Sequence, residues 1–561
     1  MHSPPATGLE TPSRLVVRCI LPFPSSSVWA SEPGRLPSSP ITGCNTRPAP
    51  ETGPERRPNI PGPPTTARDV REAFERSFTD AHLLVVSNRQ PYAHTREEGE
   101  IEVQRPAGGL VLALDPVMRA LGGTWVAWGH GDADPAVVDE NDRVAVPPEE
   151  ESYTLRRLWL TEEEVENYYL GYSNQALWPL CHNVLEHVRF RDRFWNAYRK
   201  VNTKFAHGVV DEMEERGGLV WFQDYHLALA PREVRRARSD LTLGHFWHIP
   251  WPPWETFRVC PQKTEILEGL LSNDLLGFHL ESFVTNFLNT CVRELDAFVD
   301  WAKKAVVHQG HMTHVRDLPI SIDVERFERM ASSPETEERI DAVREEHDLD
   351  GQRVAIGVDR LDYSKGILER LEALRILFRE HPELVGELTF VQIAVPSRTE
   401  IPAYAHLEEK VDRRIEELNA ALSTDGWKPV VYIKDPMPQD ELVAFYRMAD
   451  VAVVSSVQDG MNLVVKEFIA SQDEEDPGAV CLSEFAGASD EINHSIPVNP
   501  FYTEGFAEDL RRALDQPLER RRDSMEKMKA TLREHSIHAW MADFLSAAGE
   551  ARRDAERHAR R

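Results

Sequence analysis

The chain has 561 residues, well past the ~250–300 at which a single hydrophobic core stops growing, so at least two lobes are expected. With 41% hydrophobic and 28% charged residues it reads as an ordinary globular protein, and no uncharged apolar run approaches the ~18–20 residues that cross a bilayer. The 93 acidic against 64 basic side chains give a net charge of −29, which repels nucleic acid and anionic lipid and removes both from the expected partners.

Residues 1–66 hold fifteen of the 39 prolines, no lysine, six arginines and four glutamates, leaving the remainder of the chain at −31. That composition predicts a disordered extension. The apolar run from Leu15 to Leu21 is interrupted by Arg18 and followed by prolines, a poor signal peptide. From residue 82, β-branched runs alternate with amphipathic stretches: 83–87, 218–222, 244–248, then 354–358, 388–393, 430–433 and 451–455. The alternation predicts parallel α/β structure. A charged stretch at 333–350 divides the runs into two sets, so the expected fold is two Rossmann-like, doubly wound lobes, 67–330 and 331–530, followed by a C-terminal helix and charged tail at 531–561. Ligands in such folds sit beyond the carboxyl ends of the strands, so the residues just after each run are the first candidates.

Ser87-Asn-Arg89 follows the first run and leads to Pro106-Ala-Gly-Gly-Leu110, where Gly108 and Gly109 open a helix and let backbone approach a phosphate while Arg89 offers a planar fork. The spacing is not GxGxxG, which excludes the dinucleotide fingerprint; a simple turn is the plainer reading. Trp221-Phe-Gln-Asp-Tyr-His226 and His245-Phe-Trp-His-Ile-Pro-Trp251 place polar groups among aromatics at strand ends, which suits a sugar. In Val354-Ala-Ile-Gly-Val-Asp-Arg-Leu-Asp-Tyr-Ser-Lys-Gly366 a strand ends in Arg360 and Lys365 just ahead of a helix. Two cations at a helix N-terminus suit a diphosphate, unless Asp359 and Asp362 neutralise them. After the run 451–455, Asp459 could accept from sugar hydroxyls, the amides of Met461, Asn462 and Leu463 could face a phosphate, and Glu467 could hold a ribose diol. Here an Asp-Gly turn and a surface glutamate are the alternative.

His308-Gln-Gly-His-Met-Thr-His314 reads as a hairpin rather than a metal site, since Gln-Gly is a turn and no acidic ligand accompanies it. The cysteines Cys19, Cys44, Cys181, Cys260, Cys291 and Cys481 lack CxxC spacing, which argues against a disulfide framework and fits a cytoplasmic location.

Taken in order, SNR at 87–89, AGGL at 107–110, YSNQALWP at 172–179, QDYH at 223–226, HIPWP at 248–252, DLLGFH at 274–279, DRLDYSKG at 359–366, DGMNLVVKE at 459–467 and SEFAGAS at 483–489 resemble the trehalose-6-phosphate synthase family of retaining glucosyltransferases, over roughly residues 82–546. The resemblance implies a GT-B architecture, two lobes facing a central cleft, with the first lobe on the acceptor side and the second on the donor side. It implies a nucleotide-glucose donor, glucose 6-phosphate as acceptor, and no cofactor or metal. Arg360 and Lys365 would bind the donor diphosphate, Glu467 its ribose, and Asp459 with the Met461–Leu463 backbone the glucose and phosphate. His248 would contact the donor glucose, and Gly108 and Gly109 would close over the donor. Arg89, Tyr169, Trp178 and Arg398 match positions that grip the acceptor phosphate, and Asp224 one that touches its hydroxyls.

Gln458 stands where arginine is expected and Ser321 where glycine is usual, but neither replaces a proposed catalytic group. No phosphatase nucleophile strand follows the second lobe, so phosphate removal is assigned to a separate enzyme. Two rivals remain: a glucosylglycerol-phosphate synthase using glycerol 3-phosphate, and a non-catalytic sugar-phosphate sensor. The donor base is not legible, and a homo-oligomer is left open.

Overall fold

Long buried runs set the architecture. The computed structural model describes residues 66–79, 81–105 and 109–559, so the expected disorder before residue 66 and the role of Gly108 lie outside the described residues. In the first lobe the strands are β1 (His82–Arg89), β2 (Ala93–Glu97), β3 (Glu100–Gln104), β4 (Thr124–Trp128), β5 (Arg143–Val146), β6 (Tyr153–Leu158), β7 (Gly218–Gln223), β8 (Thr242–Phe246), β9 (Leu275–Phe278), β10 (Phe298–Asp300), β11 (Ala305–His308) and β12 (His311–Asp317). Ten of them form one sheet in the order β10-β11-β12-β9-β8-β7-β1-β4-β6-β5, while β2 and β3 pair as a separate hairpin. The run from β12 to β6 is parallel, and antiparallel partners close both edges.

The second lobe contributes β13 (Arg353–Arg360), β14 (Leu388–Val395), β15 (Val430–Ile433), β16 (Val451–Val454), β17 (Ala479–Ser483) and β18 (Ile496–Val498), all parallel, in the order β15-β14-β13-β16-β17-β18. Strands such as β14 and β17 are buried along almost their whole length, as a sheet covered by helices on both faces requires. The strand order reverses between β13 and β16 in this lobe and between β7 and β1 in the first, which puts a crevice at each of those points. All seven runs read from the sequence are strands, β11 and β12 form the hairpin read at 308–314, and β2 to β6, β9, β10, β17 and β18 are additional.

The helix Ile537–Ala559 returns to the first lobe. Its Phe544 stacks on Trp221 at 4.1 Å, and Trp540 lies 5.3 Å from the same indole. The His308–His314 segment is the hairpin expected, with His308 opposite His311 and a Gln309-Gly310 turn at φ 49° and 82°. No group of three potential metal ligands occurs among the described residues, and no helix there is long and apolar enough to cross a membrane.

Candidate active site

On the second lobe the crevice between β13 and β16 is cationic. Arg360 ends β13 and is exposed, its guanidinium 5.5 Å from the Trp178 ring of the first lobe. Lys365 closes a single turn, Tyr363–Lys365, whose start is capped by the Asp362 carboxylate accepting from the Ser364 amide at 3.0 Å. The next residue, Gly366, begins the helix Ile367–Glu380 at φ 64°. A Cβ there would overlap the Ser455 carbonyl, so only glycine fits.

Lys365 Nζ donates to Asp459 Oδ2 at 2.5 Å, and Ser456 Oγ and Asn462 Nδ2 donate to the same oxygen at 3.2 Å. Burial opposes the charge of Asp459, but Lys365 overcomes it and holds the carboxyl at about 2. The alternative reading, in which Asp359 and Asp362 neutralise Arg360 and Lys365, does not match the ion pairs. Asp359 pairs with the buried Arg370 at 2.7 Å and Asp362 with Arg398 at 3.3 Å, because both side chains turn into the lobe. Asn462, at φ 87°, caps the helix Leu463–Ser471 by accepting from the Val465 amide at 3.1 Å. Glu467 sits farther along that helix, where Tyr446 Oη donates to it at 3.0 Å and burial raises its carboxyl to about 7. Met461 is buried, its carbonyl accepting from the Ala488 amide at 2.8 Å. Gly109 backs onto Leu463, a Cβ there falling 2.7 Å from its side chain.

The first lobe supplies the facing wall. Arg89, at the end of β1, donates to Tyr169 Oη at 2.8 Å. Tyr169 and Trp178 are carried by a π-helix, Val165–Leu177, and the turn that follows it. Asn174 and Gln175 donate side-chain amides to the carbonyls five residues back, at 2.8 and 3.0 Å, supporting the wide turn. Burial disfavours ionisation of Tyr169, but Arg398 and Arg89 pull the phenol down to about 8. Arg398 comes from the second lobe just after β14, with a left-handed backbone at φ 54° and its guanidinium 4.3 Å over Trp178. Its Nη1 donates to Tyr404 Oη at 2.6 Å and to Asp362, while its buried Nε has no partner among the described residues.

Asp224 follows β7 at φ 70°, and its Oδ1 accepts from the Tyr225 amide at 2.9 Å and the His248 amide at 3.3 Å. Burial raises its carboxyl to about 7. His248 Nε2 lies 2.9 Å from Gln223 Oε1, and burial lowers its basicity so that the ring is neutral.

Of the described candidates, Arg360, Lys365, Asp459, Met461, Asn462, Leu463 and Glu467 lie on the second lobe, on strand ends and the helices after them, and Arg89, Gly109, Tyr169, Trp178, Asp224 and His248 lie on the first. Arg398 reaches from the second lobe to the first. Sequence reasoning gave Asp362 no role beyond an alternative counter-ion, and it missed Tyr225, whose Oη accepts from Arg398 Nη2 at 3.5 Å, and Tyr404. The first two lie inside quoted motifs, whereas no motif marks Tyr404.

Two Rossmann-like lobes with polar strand ends turned toward each other define a GT-B glycosyltransferase. The chain belongs to glycosyltransferase family 20, whose model matches residues 81–550. It is 37% identical over 475 residues to the trehalose-6-phosphate synthase of Mycolicibacterium vanbaalenii, a match covering 83% of this chain and 96% of that protein. It is also 37% identical over 498 residues to the bifunctional trehalose-6-phosphate synthase/phosphatase of Thermoproteus tenax, covering 85% of this chain but only 65% of that longer protein. Among solved structures, a UDP-forming alpha,alpha-trehalose-phosphate synthase from Burkholderia xenovorans in complex with glucose-6-phosphate aligns with a TM-score of 0.75 at 29% identity, over 83% of this chain and 100% of that one. The E. coli trehalose-6-phosphate structure bound with UDP-2-fluoro glucose aligns with a TM-score of 0.75 at 30% identity, over 84% and 99%.

Proposed function

We propose that this enzyme transfers glucose from UDP-glucose to glucose 6-phosphate with retention of configuration, giving trehalose 6-phosphate and UDP. The observation that carries the reading is the convergence of two separate cationic sites on one cleft: Arg360 with Lys365, and Arg89 with Arg398. One site suits the donor diphosphate and the other the acceptor phosphate. The choice of uridine rests on the UDP-forming relative and the UDP-sugar complex.

In this reading charge grows on the diphosphate as the glucosyl bond breaks. Lys365 is already held by Asp459 and keeps two of its three N–H donors for phosphate, while Arg360 and the amides at the start of the helix Leu463–Ser471 add further positive potential. These groups are fixed before the reaction, so little reorganisation is needed. The acceptor hydroxyl attacks on the face the diphosphate leaves, its proton passing to the departing oxygen. Asp224 orients the acceptor hydroxyls and the neutral His248 ring hydrogen-bonds the donor glucose. Arg89 and Arg398, with Trp178 under the Arg398 guanidinium, hold the acceptor phosphate, so glucose without phosphate lacks the charge-assisted contacts.

The test is a coupled assay with UDP-, ADP- and GDP-glucose against glucose 6-phosphate, glycerol 3-phosphate and glucose. Turnover with UDP-glucose and glucose 6-phosphate, with an α,α-linked product by NMR, is expected. Preference for glycerol 3-phosphate would replace the acceptor, and binding without turnover would favour the sensor.

A further inference from the structure

Asp362 is a fully buried carboxylate that the mechanism above leaves unused. It joins parts of both lobes. Oδ1 accepts from Trp178 Nε1 of the first lobe at 3.4 Å and from the Ser364 amide at 3.0 Å; Oδ2 accepts from Arg398 Nη1 at 3.3 Å and Tyr404 Oη at 3.2 Å. Three of these four donors stand in or behind the acceptor-phosphate clamp, and the fourth belongs to the turn that carries Lys365.

We infer that Asp362 is a positioning residue, which fixes the Arg398 guanidinium and the Trp178 ring as an acceptor-phosphate clamp and ties that clamp to the donor-diphosphate turn. The inference rests on the acceptor proposed above. Three observations support it. Arg398 holds a left-handed backbone that a non-glycine residue adopts only when its surroundings fix it. Its one ion pair among the described residues is with Asp362, and Tyr404 bridges the two. Its buried Nε has no partner among the described residues, and the bonds of Nη1 to Asp362 and Tyr404 fix the guanidinium plane that carries this unpaired donor. Burial opposes the charge on Asp362, yet Arg398 and Arg360 hold its carboxyl below the usual range. The buried carboxylate thus stays charged opposite the Arg398 guanidinium to which it is bonded.

Asp362 touches no substrate in this arrangement, and asparagine keeps an oxygen to accept from the Ser364 amide of the Lys365 turn, so the change should appear in acceptor recognition rather than in donor binding. The experiment compares full-length wild type, Asp362→Asn and Tyr404→Phe. For each, KM is measured for glucose 6-phosphate and for the donor, kcat/KM is compared between glucose 6-phosphate and glucose, and UDP binding is followed by calorimetry. Asp362→Asn should raise KM for glucose 6-phosphate at least tenfold and narrow the preference over glucose by a similar factor, with UDP affinity within twofold of wild type. Tyr404→Phe, which leaves the ion pair in place, should shift the acceptor KM two- to fivefold in the same direction. An unchanged acceptor KM in both variants overturns the inference, as does an equal fall in donor and acceptor affinity, which marks a purely structural residue. If Asp362→Asn does not fold, the Tyr404→Phe acceptor shift decides. Wild type that ignores glucose 6-phosphate overturns the acceptor reading itself, an outcome visible before any variant is made.

Discussion

A Cβ on Gly460 would fall 2.3 Å from the carbonyl oxygen of His248, so the two lobes meet here with no room for a side chain between them. The same carbonyl accepts from His279 Nε2 at 3.1 Å; His279 Nδ1 accepts the Ile320 amide at 3.4 Å; and the Ile320 carbonyl accepts from Lys466 Nζ at 2.8 Å. The order fixes His279 as a neutral tautomer protonated on Nε2, consistent with burial lowering its pKa to about 3. The chain of bonds runs from the loop of His248 through the segment joining the lobes to the helix that carries Glu467.

Gly460→Ala should therefore act on the fit of the lobes. The added methyl overlaps a backbone oxygen that is itself held, so loop 459–462 or the His248 turn must shift. A displacement of ~1 Å at a reacting centre costs on the order of 10²-fold in rate. Steady-state kinetics should show that loss with a far-UV circular dichroism spectrum like wild type; near-normal turnover would show that the contact is not needed.

Arg360 and Lys365 should separate in stability while agreeing in rate. Alanine at either position removes charge stabilisation of the leaving diphosphate, worth roughly 10²–10³ in kcat. Arg360 is exposed, so its removal should leave the melting temperature near wild type. Removing Lys365 leaves the largely buried Asp459 without its cation, held only by Ser456 and Asn462. The depressed carboxyl of Asp459, about 2 against 3.8, contributes stability above pH ~4 that is lost as pH falls toward 2. That contribution, about 2 kcal/mol, should vanish at neutral pH in Lys365→Ala. Urea melts of the two variants at pH 7 check the contrast.

Tyr169 should make acceptor recognition sensitive to alkali. Its phenol titrates at about 8 between Arg89 and Arg398, and the phenolate would sit where the acceptor phosphate binds. KM for glucose 6-phosphate should rise between pH 7.5 and 9 in wild type, roughly tenfold per unit once the phenol has ionised, and stay flat in Tyr169→Phe. Parallel curves for the two proteins would remove Tyr169 from the phosphate site.

Glu467 gives stability the opposite slope to Asp459. A carboxyl raised from 4.5 to about 7 binds its proton more tightly in the native state, so stability is fully present below pH ~4.5 and falls as pH rises toward 7. Partial exposure reduces the effect to about 2 kcal/mol. Glu467→Gln should flatten this part of the stability–pH curve of the ligand-free enzyme, measured by urea denaturation from pH 4.5 to 8. An unchanged slope would show that burial does not perturb this group.

The strands beside the site were legible because buried parallel strands are continuous apolar runs and the polar residues ending them stand out. Arg360, Lys365, Asp459 and Glu467 could thus be assigned to strand ends and helix starts from spacing, and the family resemblance joined them to Arg89, Tyr169 and Arg398. The partners of the acidic residues were not legible. Asp362 lies two positions from Arg360 and entered the sequence reading only as an alternative counter-ion, but its actual partners, Trp178 and Arg398, are 184 and 36 residues away. The π-helix at 165–177 leaves no clear periodicity, since its support is two side-chain amides reaching carbonyls five residues back. The return of the helix Ile537–Ala559 to the first lobe depends on Phe544 meeting Trp221, a contact that no local pattern foretells.

That return means the chain passes between the lobes twice. The first passage is the segment after β12; the second precedes Ile537, whose amide donates to the Ile322 carbonyl at 3.0 Å, while Trp540 Nε1 donates to the Leu318 carbonyl at 3.1 Å. Two bodies joined at one point can swivel about any axis, but two neighbouring joints bonded to each other leave a single line of rotation. The two passages between the lobes are therefore tied to each other as well as to the lobes, a tighter connection than a single linking strand would give.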